Sequence, residues 1–444
     1  MKIVIAGAGE MGFFLAKELS ETTHTVLLVD LDEHAIQEAE ELLDVMTIVG
    51  DIKHRQVMSE LSCQETDLFL AVTGDDPTNL LAASWAKRLG AKVSIARFDD
   101  PHYYPDESHI VNDDFQINAI VCTSRILGLD ILRKILCVEA HSVYEFAGYG
   151  ISAMHLKIKE SSPFHGVNVK HLDVPVGCHI RAVVRGNLFR GIETVSKLMA
   201  DDEIVVVGRV YDLFAFLLQD PNRTRDRKAL IIGGGDVGLQ VAKDLERFEE
   251  KIELIERDKK RCLKLAESLE KTRVIHGSGS DIGLLNELQL NSGDYVATLT
   301  GRDEVNIMCC LIAKEVGVGH AFARLNLSGY DDVVEHLAVD DTSYTHDAFL
   351  SLTKSFLDMT TTIKYVSTSY SHDYFELRVT GLTKKDLNFL SLELPALVMI
   401  IGAVRNFKPL DLGSTIKEGD HIVFAGPRNT AKQTVKTLRG ICRN

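Results

Sequence analysis

The chain has 444 residues, 45% hydrophobic and 25% charged, and carries a formal net charge of −15. That length suits several domains with ordinary globular cores, and the charge disfavours general nucleic-acid binding and adsorption to anionic lipid. No stretch reaches the roughly 20 apolar residues that cross a bilayer; the longest apolar run, Ala396 to Val404, reads as a buried strand.

In chain order, the first strand is expected over Lys2–Ala6. It runs into Gly7-x-Gly9-Glu10-Met11-Gly12, which opens a helix. The first glycine of such a loop allows a tight turn, the second lets the backbone approach a pyrophosphate, and the third lets helix and strand pack closely. Free N–H groups at the helix start then face the phosphates. Further strands are expected over Thr25–Val29, Met46–Val49, Leu68–Val72 and Lys92–Ala96, with helices between them. This is the pattern of a parallel sheet covered on both faces.

Asp30 ends the second strand, 18 residues after Gly12 (30 − 12). A carboxylate there accepts hydrogen bonds from ribose hydroxyls and repels a 2′-phosphate. NAD(H), ADP or ATP therefore fits better than NADP(H). Asp51 ends the third strand, Thr73 the fourth and Arg97 the fifth, where ligands of such sheets sit. Thr73 and Asn79 also read as local caps of the next helix, and Arg97 as an ordinary ion pair. Beyond them, Ile126, Leu127, Leu129, Ile131, Leu132, Ile135 and Leu136 form a dense helical pattern, either core or an interface.

The whole arrangement repeats. Gly233-x-Gly235-Asp236-Val237-Gly238 lies 226 residues after the first loop (233 − 7), and Glu256 follows Gly238 by the same 18 (256 − 238). Ser278 stands where the first copy has Asp51, Thr300 and Asn306 match Thr73 and Asn79, and Arg324 matches Arg97. Each copy ends in a smaller half of short β-branched runs, with His155 to Ile158 matching Glu376 to Val379. The expected organisation is α/β: two Rossmann-like doubly wound parallel sheets, each followed by a small α+β subdomain. The units span 1–138, 139–220, 227–360 and 361–444, with a polar linker over Gln219–Lys228.

Other features read as bland. The acidic pairs Asp99-Asp100, Asp113-Asp114 and Asp201-Asp202 suit solvated loops or helix N-termini rather than a divalent cation, and no metal site is expected. Eight scattered cysteines without a CxxC spacing suit reduced core thiols. Met1 runs almost directly into the first strand, leaving no room for a signal peptide, so a cytoplasmic protein is expected. An NAD-dependent oxidoreductase remains an alternative. It would need an acid/base residue over the nicotinamide, and the histidines of the small halves (His155, His165, His171 and His179 against His372 and His421) do not repeat.

The ordered landmarks are the glycine loop, the acid after strand two, Gly50-Asp51, Thr73-Gly74-Asp75-Asp76 with Asn79, and Ala96-Arg97. Together they resemble the RCK (KTN) domain, and their duplication resembles the TrkA-type peripheral regulators of Trk potassium uptake systems. The resemblance implies NAD(H) or ADP/ATP in both crevices, no catalysis, and assembly of the modules into a homo-oligomeric ring. It also implies a peripheral position beneath a membrane potassium transporter, whose flux the nucleotide gates. A channel or efflux regulator would share the fold. Some relatives carry a basic residue in the glycine loop that meets a terminal phosphate; Glu10 and Asp236 stand here instead, favouring NAD(H) or ADP over ATP.

Overall fold

The computed structural model describes residues 1–22, 24–100, 115–138, 140, 142–146, 151–186, 188–219, 227–248, 251–326, 334, 336–358, 363–369, 372–379, 388, 392, 398–405, 408–410 and 413–427.

The first large half runs β1 (Lys2–Ala6), α1 (Glu10–Ser20), β2 (Thr25–Asp30), α2 (Glu33–Leu42), β3 (Met46–Val49), α3 (Arg55–Glu60), β4 (Leu68–Ala71), α4 (Asp76–Arg88), β5 (Val93–Phe98) and β6 (Ala119–Cys122). Its strands are all parallel, in the order β3-β2-β1-β4-β5-β6. Both faces of the sheet are covered, so β1 is apolar from Ile3 to Ala6: Ile3 and Ile5 enter one core, Val4 and Ala6 the other. The order reverses between β1 and β4, which leaves a crevice at the carboxyl ends of the strands. The sixth strand was not foreseen. Its four residues, Ala-Ile-Val-Cys, are too short a run to separate from the helix that follows at once, α5 (Thr123–Cys137).

A five-stranded antiparallel sheet comes next, from β7 (Ser142–Phe146), β8 (Ile151–Lys157), β9 (His179–Arg185), β10 (Leu188–Arg190) and β11 (Glu203–Arg209), followed by α6 (Val210–Leu217). Most of the expected linker, residues 220–226, lies outside the described residues.

The second large half repeats the first: β12 (Lys228–Ile232), α7 (Asp236–Glu246), β13 (Lys251–Glu256), α8 (Lys259–Ser268), β14 (Arg273–His276), α9 (Ile282–Glu287), β15 (Tyr295–Thr298), α10 (Asp303–Glu315), β16 (His320–Leu325), β17 (Asp341–Tyr344) and α11 (Thr345–Asp358). The order is β14-β13-β12-β15-β16-β17. A second small antiparallel sheet is built from β18 (Ile363–Ser369), β19 (His372–Arg378), β20 (Met399–Arg405), β21 (Lys408–Pro409) and β22 (His421–Pro427). The strand expected over Ala396–Val404 is β20; residues 396 and 397 lie outside the described residues.

The two halves exchange helices. Leu127, Ile131, Leu132 and Ile135 of α5 share one core with Val237, Val241 and Leu245 of α7. In return, Phe349 and Leu350 of α11 pack with Leu15 and Leu19 of α1. The dense apolar pattern in α5 is therefore an interface between modules. Lys134 of α5 also pairs with Asp341 of β17 at 2.9 Å. The small sheets meet too: Ala182 and Val205 share a core with Ile401 and Val423, and Arg181 donates to the Leu410 carbonyl at 3.2 Å.

Candidate functional site

The first glycine loop is fixed by sterics. Gly7 has φ +114°, and a Cβ there would lie 2.8 Å from the Thr73 nitrogen; a Cβ on Gly12 would lie 1.8 Å from the Gly7 carbonyl oxygen. Gly9 caps α1 and would meet nothing within 4 Å, so it faces open space. No side chain caps this helix, which leaves its first N–H groups for a ligand.

The Asp30 carboxylate staples the loop. Its Oδ2 accepts from the Ala8 N–H at 2.5 Å and its Oδ1 from the Asp32 N–H at 2.9 Å. Asp51 accepts from the Lys53 N–H at 2.9 Å and lies 3.8 Å from the Lys53 ammonium.

Asn79 is fully buried and is not a helix cap. Its Oδ1 accepts from the N–H and hydroxyl of Thr73 (2.8 and 2.7 Å), and its Nδ2 donates to the carbonyls of Thr73 and Arg97, both at 2.9 Å. It clamps the ends of β4 and β5, while Asp75 caps α4 by accepting from the Thr78 N–H at 3.0 Å.

These elements enclose a cavity of about 900 Å³, a size suited to a nucleotide. Of the residues expected at the first site, Gly7, Gly9, Glu10, Met11, Asp30, Asp51, Thr73 and Arg97 line it, and Gly12 packs behind. Four lining residues come from the second large half: Arg324, Asn326, Thr345 and His346. Arg324, expected at the second crevice, thus stands in the wall of the first. His346 is buried, stacks on Phe14 with centroids 5.1 Å apart, and has Nε2 3.9 Å from a Glu10 carboxylate oxygen. Burial pushes its pKa below the usual histidine range, with Glu10 pulling the other way. Asn326, Thr345 and His346 carry no motif, and only the packing of the two halves brings them to the site.

The second loop has the same skeleton. Gly233 has φ +106°, a Cβ on Gly238 would lie 1.9 Å from the Gly233 carbonyl oxygen, and Gly235 has only the Leu299 carbonyl oxygen at 4.0 Å. Glu256 accepts from the N–H groups of Gly234 (2.8 Å) and Asp258 (2.7 Å). Asn306 bridges Thr300 and the Arg324 carbonyl as Asn79 does Thr73 and Arg97. Val237 is buried in the core, and the Ser278 hydroxyl hydrogen-bonds that of Ser280 at 2.8 Å. One difference is unforeseen: Arg261 of α8 donates to the Gly234 carbonyl (2.5 Å) and to the Asp236 carboxylate (2.7 Å). The acid of the second loop is thereby paired with an arginine.

One sequence reading changes. Asp202 is not a solvated loop acid: it is buried and grips Arg185, while the exposed loop acid Asp99 grips Arg97. Asp113 and Asp114 lie outside the described residues. The histidines do not repeat between the small halves, and two of them form exchanged pairs: His155 on β8 with Glu203 on β11 at 3.0 Å, and His421 on β22 with Glu376 on β19. Among the described residues no group of three His, Cys, Asp or Glu side chains could hold a metal, and no helix is long and apolar enough to cross a membrane. Cys63, Cys122, Cys178, Cys262, Cys309 and Cys310 are buried and free of disulfides; burial pushes the Cys310 thiol up to about 12.

The TrkA-N domain family matches residues 3–122 and 229–345. The chain belongs to the TrkA family. It is 30% identical over 341 residues to a Trk system potassium uptake protein TrkA homolog of Archaeoglobus fulgidus, covering 77% of each chain. A TrkA homolog of Methanosarcina mazei is 30% identical over 456 residues, covering 99% of this chain and 100% of the relative. Among solved structures, the GsuK RCK domain superposes with a TM-score of 0.56 at 16% identity, covering 99% of this chain and 95% of that one. The GsuK channel bound to NAD gives 0.55 at 17%, covering 99% and 79%. These likenesses show that the TrkA-family chain has the tandem RCK fold.

Proposed function

We propose that this protein is a non-catalytic, nucleotide-sensing regulatory subunit of a potassium uptake system, and that its first pocket binds NAD(H) or ADP. The observation that carries the reading is the composite cavity, built on the glycine loop of one module and closed by the other. A ligand held there favours one arrangement of the modules over another, which is what gating demands. The fit is chemical: open space at Gly9, uncapped N–H groups on α1, and Asp30 and Asp51 towards a ribose. Glu10 in the wall disfavours a third phosphate.

The relatives' names point to a membrane potassium transporter as partner. The modules would assemble as a homo-oligomeric ring at its cytoplasmic face.

Titration calorimetry with NADH, NAD, ADP and ATP tests the ligand. The wild type should bind a dinucleotide or ADP on the order of micromolar, and an Asp30→Ala, Glu256→Ala variant should lose it. These carboxylates also staple the loops, so the companion variant is Gly9→Val, Gly235→Val, whose side chains enter open space. No binding at millimolar nucleotide would sink the sensor reading.

A further inference from the structure

We propose that Arg324, supplied by the second module, is the cation that receives the distal phosphate of a nucleotide in the first module's pocket, and that Asn326 leaves it free to do so. The inference rests on the reading that this pocket binds an adenine nucleotide, and it names the residue that sets preference for phosphorylated ligands.

The argument is a comparison of two equivalent arginines. Arg97 and Arg324 each end a fifth strand, and each has its carbonyl held by the clamping asparagine, Asn79 or Asn306. Two residues on, the copies differ. Asp99 takes the Arg97 guanidinium through Nε (3.2 Å) and through Nη2 (2.8 and 2.7 Å). A fork-to-carboxylate pair of this kind neutralises the charge and fixes the side chain. The second copy has Asn326 there, a neutral amide, which accepts one bond from Arg324 Nη2 at 3.2 Å.

Asp303, the acid of that module that bears most on the Arg324 charge, is already occupied. It accepts from the Asn326 backbone N–H at 3.0 and 2.9 Å and from its side-chain amide at 3.1 Å. The Arg324 Nε is buried and has no hydrogen-bond partner among the described residues. Burial works against its charge, while Asp303, Asp236, Asp99 and Glu10 support it from a distance. A half-desolvated guanidinium without a carboxylate in contact is unsatisfied until an anion arrives.

Arg324 lines the cavity that Gly9, Glu10 and Met11 also line. A nucleotide whose ribose meets Asp30 carries its phosphates over the glycine loop towards this wall. Phosphate is the anion that geometry offers, and an arginine reads it with paired donors. The grip comes from the second module, so phosphate binding and module arrangement are linked through one side chain. Arg97 lines the same cavity, but its charge is already spent on Asp99.

The test uses the full chain and titration calorimetry with ADP and adenosine, with thermal unfolding recorded for each variant. Asn326→Asp keeps the arginine and supplies the missing carboxylate. It should weaken ADP about tenfold or more and leave adenosine within about twofold, the loss expected of one charge-assisted contact. Arg324→Gln should do the same, and Arg88→Gln, which removes an exposed arginine at the far end of α4 outside the pocket, should change ADP affinity by less than about twofold. Wild-type ADP affinity in both Asn326→Asp and Arg324→Gln would overturn the assignment, as would an equal loss for adenosine or an equal loss in Arg88→Gln. Those outcomes leave the pocket a nucleotide site. Failure of the wild type to bind ADP or NAD at all would overturn the pocket reading, and this inference with it.

Discussion

At the scale of single residues, identity and spacing carried the loop but not its supports. The three glycines could be assigned turn, approach and packing roles because only a missing Cβ satisfies those positions. Asn79 could not be read, because an asparagine three residues into a helix looks like a local cap whatever its side chain does. Here it is fully buried and makes four hydrogen bonds that tie two strand ends. Asn79→Ala strands the Thr73 and Arg97 carbonyls in a buried site, so a loss of about 3 kcal/mol is expected. Asp75→Ala, which removes the true cap, should cost only about 1 kcal/mol. Urea unfolding of both variants checks the order; equal costs would mean that the clamp adds nothing beyond an ordinary cap.

At the scale of elements, parallel strands were legible because their apolar runs are continuous, as burial on both faces requires. The end strands β6 and β17 were not. The first merges into a helix, and the second, Asp-Thr-Ser-Tyr, is polar and half-exposed at the edge of its sheet. The helical pattern in α5 was visible, but its partner was not, since periodicity says which face is buried and not against what. The partner is α7, and one position in the contact is loose. A Cβ on Gly128, within α5, would meet Gln240 at 3.5 Å and Val241 at 3.7 Å, which is ordinary contact. Gly128→Ala should therefore stabilise the protein by about 0.5–1 kcal/mol, through lower chain entropy and better helix propensity. Gly128→Leu should instead wedge the helices apart and cost about 1–3 kcal/mol. Thermal melts of the two variants moving in the same direction would refute this picture of the α5–α7 contact.

At the scale of the whole molecule, duplication was plain from the offset of 226 (233 − 7), but the mutual embrace of the copies was not. Sequence assigns Arg324 to its own module because nothing local says that α11 crosses to α1. That crossing buries His346 between the modules, where Phe14 stacks on it, Glu10 draws its proton affinity up and Arg97 pushes it down. Desolvation dominates, so the folded protein holds His346 below the usual value of 6.5. Between those two values the unfolded chain binds more protons, so stability rises with pH there. It is complete above about pH 6.5 and is lost as pH falls through the lowered folded value. His24 and His320 are depressed by burial in the same direction. The melting temperature should therefore drop on acidification from about pH 7.5 to about pH 5.5, and His346→Gln, which cannot take up the proton, should show a shallower drop. Nucleotide should reduce the wild-type drop further, because a phosphate in the shared pocket favours the protonated imidazole that burial alone disfavours. Parallel pH profiles for wild type and His346→Gln would place the acid-sensitive burial outside the module interface, with His24 and His320 as the remaining candidates.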